Sequence, residues 1–210
     1  MKEKIFVAGA GLMGGGITQV CAQAGYEVTV RDLTAELVEK GLKAIRWSVG
    51  KFVEKGKVSG TVDEIMGRIT GTTDLSAAGS ADFVFEAVRE DLGTKREVFS
   101  QLDAICPPHA IFASNTSAIP ISEIAEATKR RKQFLGAHFF SPVPIMRIVE
   151  LIRGSETSEE TIVLAEKICH SLGKETIRVN RDVAGFALNR INYPSTVEAI
   201  KLVEAGIVSV

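Results

Sequence analysis

The run from Lys4 to Gly16, KIFVAGAGLMGGG, constrains the fold more than any other stretch of this 210-residue chain. Ile5, Phe6 and Val7 suit a buried strand, and glycines follow at Gly9, Gly11 and Gly14 before a helical-looking segment over 17–24. In this G-x-G-x-x-G spacing, Gly9 permits a tight strand-to-helix turn and Gly11 leaves room for a pyrophosphate to reach the backbone. Gly14 lets the helix approach the strand, and the helix N-terminus offers free N–H groups to the phosphates. Leu12 and Met13 lie within the same phosphate-facing turn. A second apolar run, 27–30, leads to Asp32, 18 positions after Gly14. A carboxylate near that offset accepts hydrogen bonds from an adenosine ribose. The order of strand, glycines, helix, strand and acid implies a dinucleotide site. The plainer alternative is a glycine-rich loop closing an ordinary βαβ unit.

Apolar runs continue to alternate with helical periodicity. Strands are expected over 4–8, 27–30, 69–71, 82–86, 110–113, 134–137, 145–152 and 176–179, and helices over 14–24, 34–55, 94–104, 121–128 and 158–172. That alternation implies an α/β fold of Rossmann type, a doubly wound and mostly parallel sheet covered on both faces. The Ser141–Pro144 segment reads as an extended turn, because each proline fixes φ and disfavours helix before it. A boundary near 180–184 divides a dinucleotide-binding domain, 1–183, from the start of an all-helical C-terminal domain, 184–210. There Phe186, Ile191, Val197, Ile200 and Leu202 or Val203 fall at helical spacing, with a kink expected at Pro194. The apolar face of such a helix needs a partner in this domain, in another subunit or in further chain.

Net charge of −1 and a pI near 6.3 give no pull towards nucleic acid or an anionic membrane. Lys2 and Lys4 precede an apolar stretch as in a leader peptide, but glycines interrupt it and Asp32 and Glu36 soon follow. No run approaches the ~18 apolar residues of a membrane span. Cys21, Cys106 and Cys169 are odd in number and lack metal-type spacing, so they read as buried thiols in a reducing compartment. The expectation is a cytoplasmic protein without a metal site.

Polar residues gather where strands are expected to end. Ser114, Asn115, Thr116 and Ser117 follow an apolar run, on the edge where open α/β sheets bind ligands. Their alternative is turn and cap chemistry for the next helix, and for Ser117 both readings stay open. His138 stands at another strand end before two aromatics, and Glu150 on the next run is placed to hold the imidazole and stabilise its protonated form. His109 and His170 have no evident acid partner and read as structural. Asn189 lies among apolar residues, where its amide needs a hydrogen-bond partner. Ser48, Lys51, Lys55 and Lys57 form either a solvated helix end or a phosphate site.

Six segments in order, GAGLMGGG, EAVRE (86–90), SNTSAI (114–119), HFFSPVP (138–144), VELI (149–152) and GFALNR (185–190), resemble the 3-hydroxyacyl-CoA dehydrogenase family, and within it the bacterial 3-hydroxybutyryl-CoA dehydrogenases. The resemblance implies reversible oxidation of an L-3-hydroxyacyl-CoA to the 3-ketoacyl-CoA with NAD. By it, His138 is the catalytic base, Glu150 its partner, and Ser117 and Asn189 lie near the substrate's 3-oxygen. Gly9, Gly11, Gly14 and Asp32 hold the adenosine half of NAD, Glu90 and Lys95 supply further cofactor contacts, and Ser48 and Lys55, with Lys51 beside them, meet coenzyme A. Ser141 occupies a position where many members carry Asn. Arg31 beside Asp32 keeps NADP open. The family continues through further helices, whereas this sequence ends one helix into that domain, so a homodimer through the C-terminal helix is expected. A related hydroxy-acid dehydrogenase and a dinucleotide-binding module without turnover are the competing readings.

Overall fold

The structure is a computed structural model that describes residues 3–209. Met1, Lys2 and Val210, at the outer ends of the two expected domains, lie outside that range. The apolar runs become β1 (Ile5–Ala8), β2 (Val28–Arg31), β3 (Ile69–Thr72), β4 (Phe83–Glu86), β5 (Ile111–Ser114), β6 (Phe134–Phe139), β7 (Ile148–Ile152) and β8 (Glu175–Val179). Between and after them lie α1 (Leu12–Gln23), α2 (Ala35–Glu54), α3 (Val62–Met66), α4 (Leu92–Ile105), α5 (Ile121–Ala125), α6 (Glu159–Ser171) and α7 (Leu188–Glu204). The strands form one sheet in the order β3-β2-β1-β4-β5-β6-β7-β8. Every neighbouring pair is parallel except β6 with β7. This is the Rossmann-type, doubly wound and mostly parallel sheet expected from the alternation. Its winding reverses between β1 and β4, where open α/β sheets take their ligands.

Because strand side chains alternate between faces, each strand contributes to two cores. Val7, Phe85, Ala113 and Leu135 pack with Ile17 of α1 and Ile45 of α2 on one face. Phe6, Val84, Phe112 and Phe134 pack with Phe99 of α4 and Ile124 of α5 on the other. The same alternation puts Glu86, Ser114, His138 and Glu150 on the second face, among otherwise apolar positions.

Helix starts divide into two kinds. Thr34, Asp91 and Ser158 cap α2, α4 and α6 by accepting from the backbone N–H three residues on. The N-cap of α1 is Gly11, which offers no side chain, so its first donors are left for a ligand. Close packing beneath that end depends on missing side chains. A Cβ on Gly41 of α2 would stand 2.6 Å from the Ala10 carbonyl oxygen.

Several expectations change. The strand expected over 145–152 begins at Ile148, because the Pro142 carbonyl takes the N–H of Ile145 (2.9 Å) and Met146 (3.0 Å). Residues 141–146 are therefore a compact hydrogen-bonded turn, not an extended one. The short α3 was not foreseen, although Thr61 and Glu64 form a full capping box at its start. Phe186 does not belong to the face of α7: it precedes the helix with φ of 53° and is buried in the second core. Ile191, Val197 and Ile200 of α7 are exposed. Among the described residues no helix is long and apolar enough to cross a membrane.

Two glycines of α2 should respond oppositely to alanine. Gly41→Ala should lower stability by about 1–3 kcal/mol, because the contact is with backbone that cannot swing aside. Gly50→Ala meets nothing within 4 Å and should raise stability by about 0.4–1 kcal/mol. Urea titrations of both variants test the difference.

Candidate active site

The glycine turn is an open cradle. Gly9 takes φ of +108°, and a Cβ there would stand 2.5 Å from the Ala87 carbonyl oxygen. A Cβ on Gly14 would collide with the Gly9 carbonyl oxygen at 1.9 Å, so α1 lies directly on the turn. At Gly11 a Cβ would meet nothing within 4 Å, which is the space a phosphate group needs beside the backbone. Leu12 is exposed and Met13 half-buried at the first turn of α1. Asp32 follows β2, where its carboxylate accepts from the N–H of Ala10 (2.8 Å) and of Leu33 (2.7 Å). These bonds fix the carboxylate beside the turn. Arg31 is drawn to the Thr73 carbonyl (3.2 Å). Uncapped N–H donors, open space at Gly11 and an oriented carboxylate fit the adenosine half of NAD.

His138 and Glu150 are directly opposite in the β6–β7 register, the antiparallel pair of the sheet. Directly opposed residues share a face with Cβ atoms about 4.5–5.5 Å apart, and here His138 Nδ1 lies 2.8 Å from Glu150 Oε2. The other carboxylate oxygen accepts from the N–H of Ala187 (3.0 Å) and Leu188 (2.9 Å), at the start of α7. Burial pushes the Glu150 carboxyl up. The hydrogen bonds from His138, Leu188 and Ala187 outweigh it and hold the group below the usual carboxylate range. An ionised Glu150 can only accept, so His138 Nδ1 is the donor of this bond. Phe140 and Phe186 flank the imidazole, with centroids at 4.4 and 5.7 Å.

A second chain of polar contacts runs from β4 to α7. Glu86 ends β4 fully buried and accepts from Lys95 Nζ (2.7 Å), Ser114 Oγ (2.6 Å) and the N–H of Val88 (2.8 Å). Lys95 also reaches Glu90 at 3.1 Å. Glu90 in turn accepts from Thr116 Oγ1 (2.5 Å) and the N–H of Ser117 (2.8 Å), and Asn189 Nδ2 donates to the Ser117 carbonyl at 2.9 Å. Burial pushes Glu90 up, but the Thr116 hydroxyl and the Lys95 ammonium leave it net lowered. Ser117 is exposed at the mouth and Asn189 half-buried beside it. Lys95 is only 1% exposed, with its ammonium held between the Glu86 and Glu90 carboxylates. Glu86 was missed as a site residue. Its signal is a carboxylate at the end of the apolar run FVFE, a place that demands a buried partner.

The polar side chains after β5 make turn and inter-strand hydrogen bonds. Ser114 binds Glu86, Asn115 Oδ1 accepts from the N–H of Phe139 (2.9 Å), and Thr116 also accepts from Ile119 (3.0 Å). The start of α5 is capped from afar by Asp182, which accepts from Ile121 and Ser122. Ser141 is exposed at the turn after β6. Ser48 lines a cavity between α1 and α2. Lys51 pairs with Glu54 at 2.9 Å, while Lys55 and Lys57 are exposed beyond. His109 does have an acid partner, Asp82 at 2.8 Å, remote in sequence and therefore invisible to local pattern. His170 Nε2 meets Thr176 Oγ1 at 3.1 Å. All three cysteines are buried free thiols, and burial pushes Cys106 up to about 11 and Cys169 up to about 12. Among the described residues no three His, Cys, Asp or Glu side chains cluster as metal ligands would.

The open cradle at the switch point, with its ribose-type carboxylate, defines an NAD-binding protein. Residues 4–183 match the family model of the 3-hydroxyacyl-CoA dehydrogenase NAD binding domain. The chain is 45% identical over 206 residues to a probable 3-hydroxybutyryl-CoA dehydrogenase of Bacillus subtilis, covering 98% of this chain and 71% of that protein. It is 40% identical over 211 residues to the human mitochondrial hydroxyacyl-coenzyme A dehydrogenase, covering 97% and 67% of the two. The crystal structure of (S)-3-hydroxybutyryl-CoA dehydrogenase from Ralstonia eutropha superposes with a TM-score of 0.94 at 37% identity, covering 100% of this chain and 74% of that one. The chain belongs to the 3-hydroxyacyl-CoA dehydrogenase family.

Glu150→Gln should lower stability by about 1.5–3 kcal/mol near neutral pH, since an amide cannot accept all three bonds. The folded value of Glu150 lies below its unfolded one. Its ionisation therefore stabilises the native state above about pH 4.3, and that contribution is lost as pH falls through the folded value. Urea titrations across pH should show the gap between the two proteins narrowing in acid.

Proposed function

We propose that this chain interconverts an L-3-hydroxyacyl-CoA, of the 3-hydroxybutyryl class, and the corresponding 3-ketoacyl-CoA, with His138 as general base. The observation that carries the proposal is the buried His138–Glu150 pair, whose tautomer leaves Nε2 as a proton acceptor. Bound NAD supplies hydride exchange with the substrate carbon. His138 Nε2 takes the hydroxyl proton in oxidation and returns it in reduction. Glu150 keeps the ring oriented and stabilises the imidazolium as it forms. Ser117 and Asn189, joined through the Ser117 carbonyl, hold the substrate's 3-oxygen. Ser48 and Lys55 contact coenzyme A with Lys51 nearby, and Ser141 contributes a hydrogen bond at the cofactor.

The division at residue 183 belongs to the same proposal, as do a cytoplasmic setting and self-association through α7. The end of the family match at residue 183 supports the division, and the exposed Ile191, Tyr193, Val197 and Ile200 support the self-association. That exposed face also favours a second reading, a module that binds NAD without turnover. Acetoacetyl-CoA reduction with NADH, followed by absorbance, separates the two: NADH binding without turnover supports the module. Light scattering reads the association.

His138→Gln should lower kcat by about 10²–10⁴-fold while NADH affinity stays within error; unchanged turnover would reject the role. NADH should be preferred to NADPH because the Asp32 carboxylate repels a 2′-phosphate. Asp32→Ser should narrow that preference, as read from KM for the two cofactors.

A further inference from the structure

Two lysines are buried among the described residues, Lys95 and Lys174. Lys95 is met by two carboxylates, whereas Lys174, just before β8, is met by none. Its Nζ donates instead to the carbonyls of Val143 (2.6 Å) and Met146 (2.8 Å), in the turn that leaves the His138 strand. The ionisable groups that face it are the Cys21 and Cys169 thiols, and burial pushes both up so that they stay neutral. Burial also holds the Lys174 ammonium below the usual lysine range. An ammonium taken out of water without a counter-charge is costly, and a methionine would fill nearly the same space. What the lysine adds is donors, and the turn lacks them. Pro142 and Pro144 have no N–H, and the N–H groups of Ile145 and Met146 are both spent on the Pro142 carbonyl. Lys174 satisfies the two carbonyls that the turn cannot satisfy itself.

The turn is clamped from its other side by the glycine-turn helix, since a Cβ on Gly16 would stand 2.8 Å from the Val143 Cβ. Pro142, Val143 and Pro144 line the same cavity as Gly11 and Asp32 of the cofactor cradle. The exit of the turn has separate ties to β8: the N–H of Glu175 reaches the Arg147 carbonyl at 2.8 Å, and the two side chains pair at 2.6 Å. Joining β7 to β8 therefore does not require the buried charge. We propose that Lys174 is a positioning residue, whose grip on Val143 and Met146 sets the distance between the turn and α1 and so the placement of the nicotinamide end of NAD against His138. The part played by His138 rests on the proposed acyl-CoA reaction; the hold on the cofactor does not.

Lys174→Met keeps most of the side chain's length and removes both donors. Its affinity for NADH, read from the cofactor's fluorescence, should weaken by about 3- to 10-fold. At saturating NADH, kcat for acetoacetyl-CoA reduction should fall by about 10- to 100-fold, as expected when reacting groups are held slightly out of place. Partial unfolding would instead reduce the number of active sites and leave the NADH Kd of the remainder alone. Arg130→Met, which breaks the pair with Asp103 of α4, is the control for stability. It should lower the urea midpoint and leave both constants at wild-type values. Gly16→Ala presses on Val143 from the opposite side, should give the same two changes, and provides the test should Lys174→Met fail to fold. Wild-type NADH affinity and kcat in the folded variant would overturn the proposal. So would a fall in kcat with NADH affinity unchanged, or equal changes in Arg130→Met. A wild-type protein that binds NADH but does not reduce acetoacetyl-CoA would remove the reaction reading alone, and the NADH affinity of the variants would then decide for or against Lys174.

Discussion

The Glu150 carboxylate joins three parts of the molecule: the imidazole of β6, its own strand β7, and the first N–H groups of α7. A carboxylate without solvent exposure is costly unless its lone pairs are filled. Here three charge-assisted bonds fill them. The arrangement depends on the sheet's single reversal. Antiparallel neighbours place two side chains face to face on one surface, so the turn at 141–147 that sends β7 back along β6 also brings His138 and Glu150 together.

Two buried carboxylates on this face are held differently because their partners differ. Glu86 faces the ammonium of Lys95 at 2.7 Å, an ion pair closed off from solvent. Glu150 faces an imidazole, and its second oxygen takes two backbone N–H groups instead of a cation. The Glu86–Lys95 pair also anchors Glu90, and through it the Thr116–Ser117 backbone.

The winding of the sheet was legible because its signals are local. Apolar runs of strand length, the glycine spacing and Asp32 each occupy a few consecutive residues, and each elicits the same βαβ geometry. Glu86 and His109 were not legible as paired groups, because their partners Lys95 and Asp82 are brought in by strand order and helix packing. Phe186 was misplaced for a related reason. Its spacing matches the helical period, but the tertiary demand to wall off His138 holds it before the helix with positive φ. β7 is shorter than its apolar run because the Pro142 carbonyl takes the N–H groups of Ile145 and Met146, a contact that no local pattern marks.

Helix N-termini are used in two opposite ways, and the difference ties the C-terminal segment to the chemistry. The start of α1 has no side-chain cap, which leaves its dipole for phosphate. The start of α7 also lacks a cap of its own, since Ala187 offers none, and is satisfied by Glu150 from across the fold. The docking of α7 and the ionised state of Glu150 are then linked functions. Any contact that steadies α7 against the sheet favours the carboxylate, and the carboxylate fixes the imidazole tautomer. By reciprocity, protonation at Glu150 weakens the hold on α7. Asn189, one residue into that helix, follows the same docking to reach the Ser117 carbonyl. A helix whose outer face is apolar and exposed thus reaches, through two backbone N–H groups, the carboxylate that holds the His138 ring.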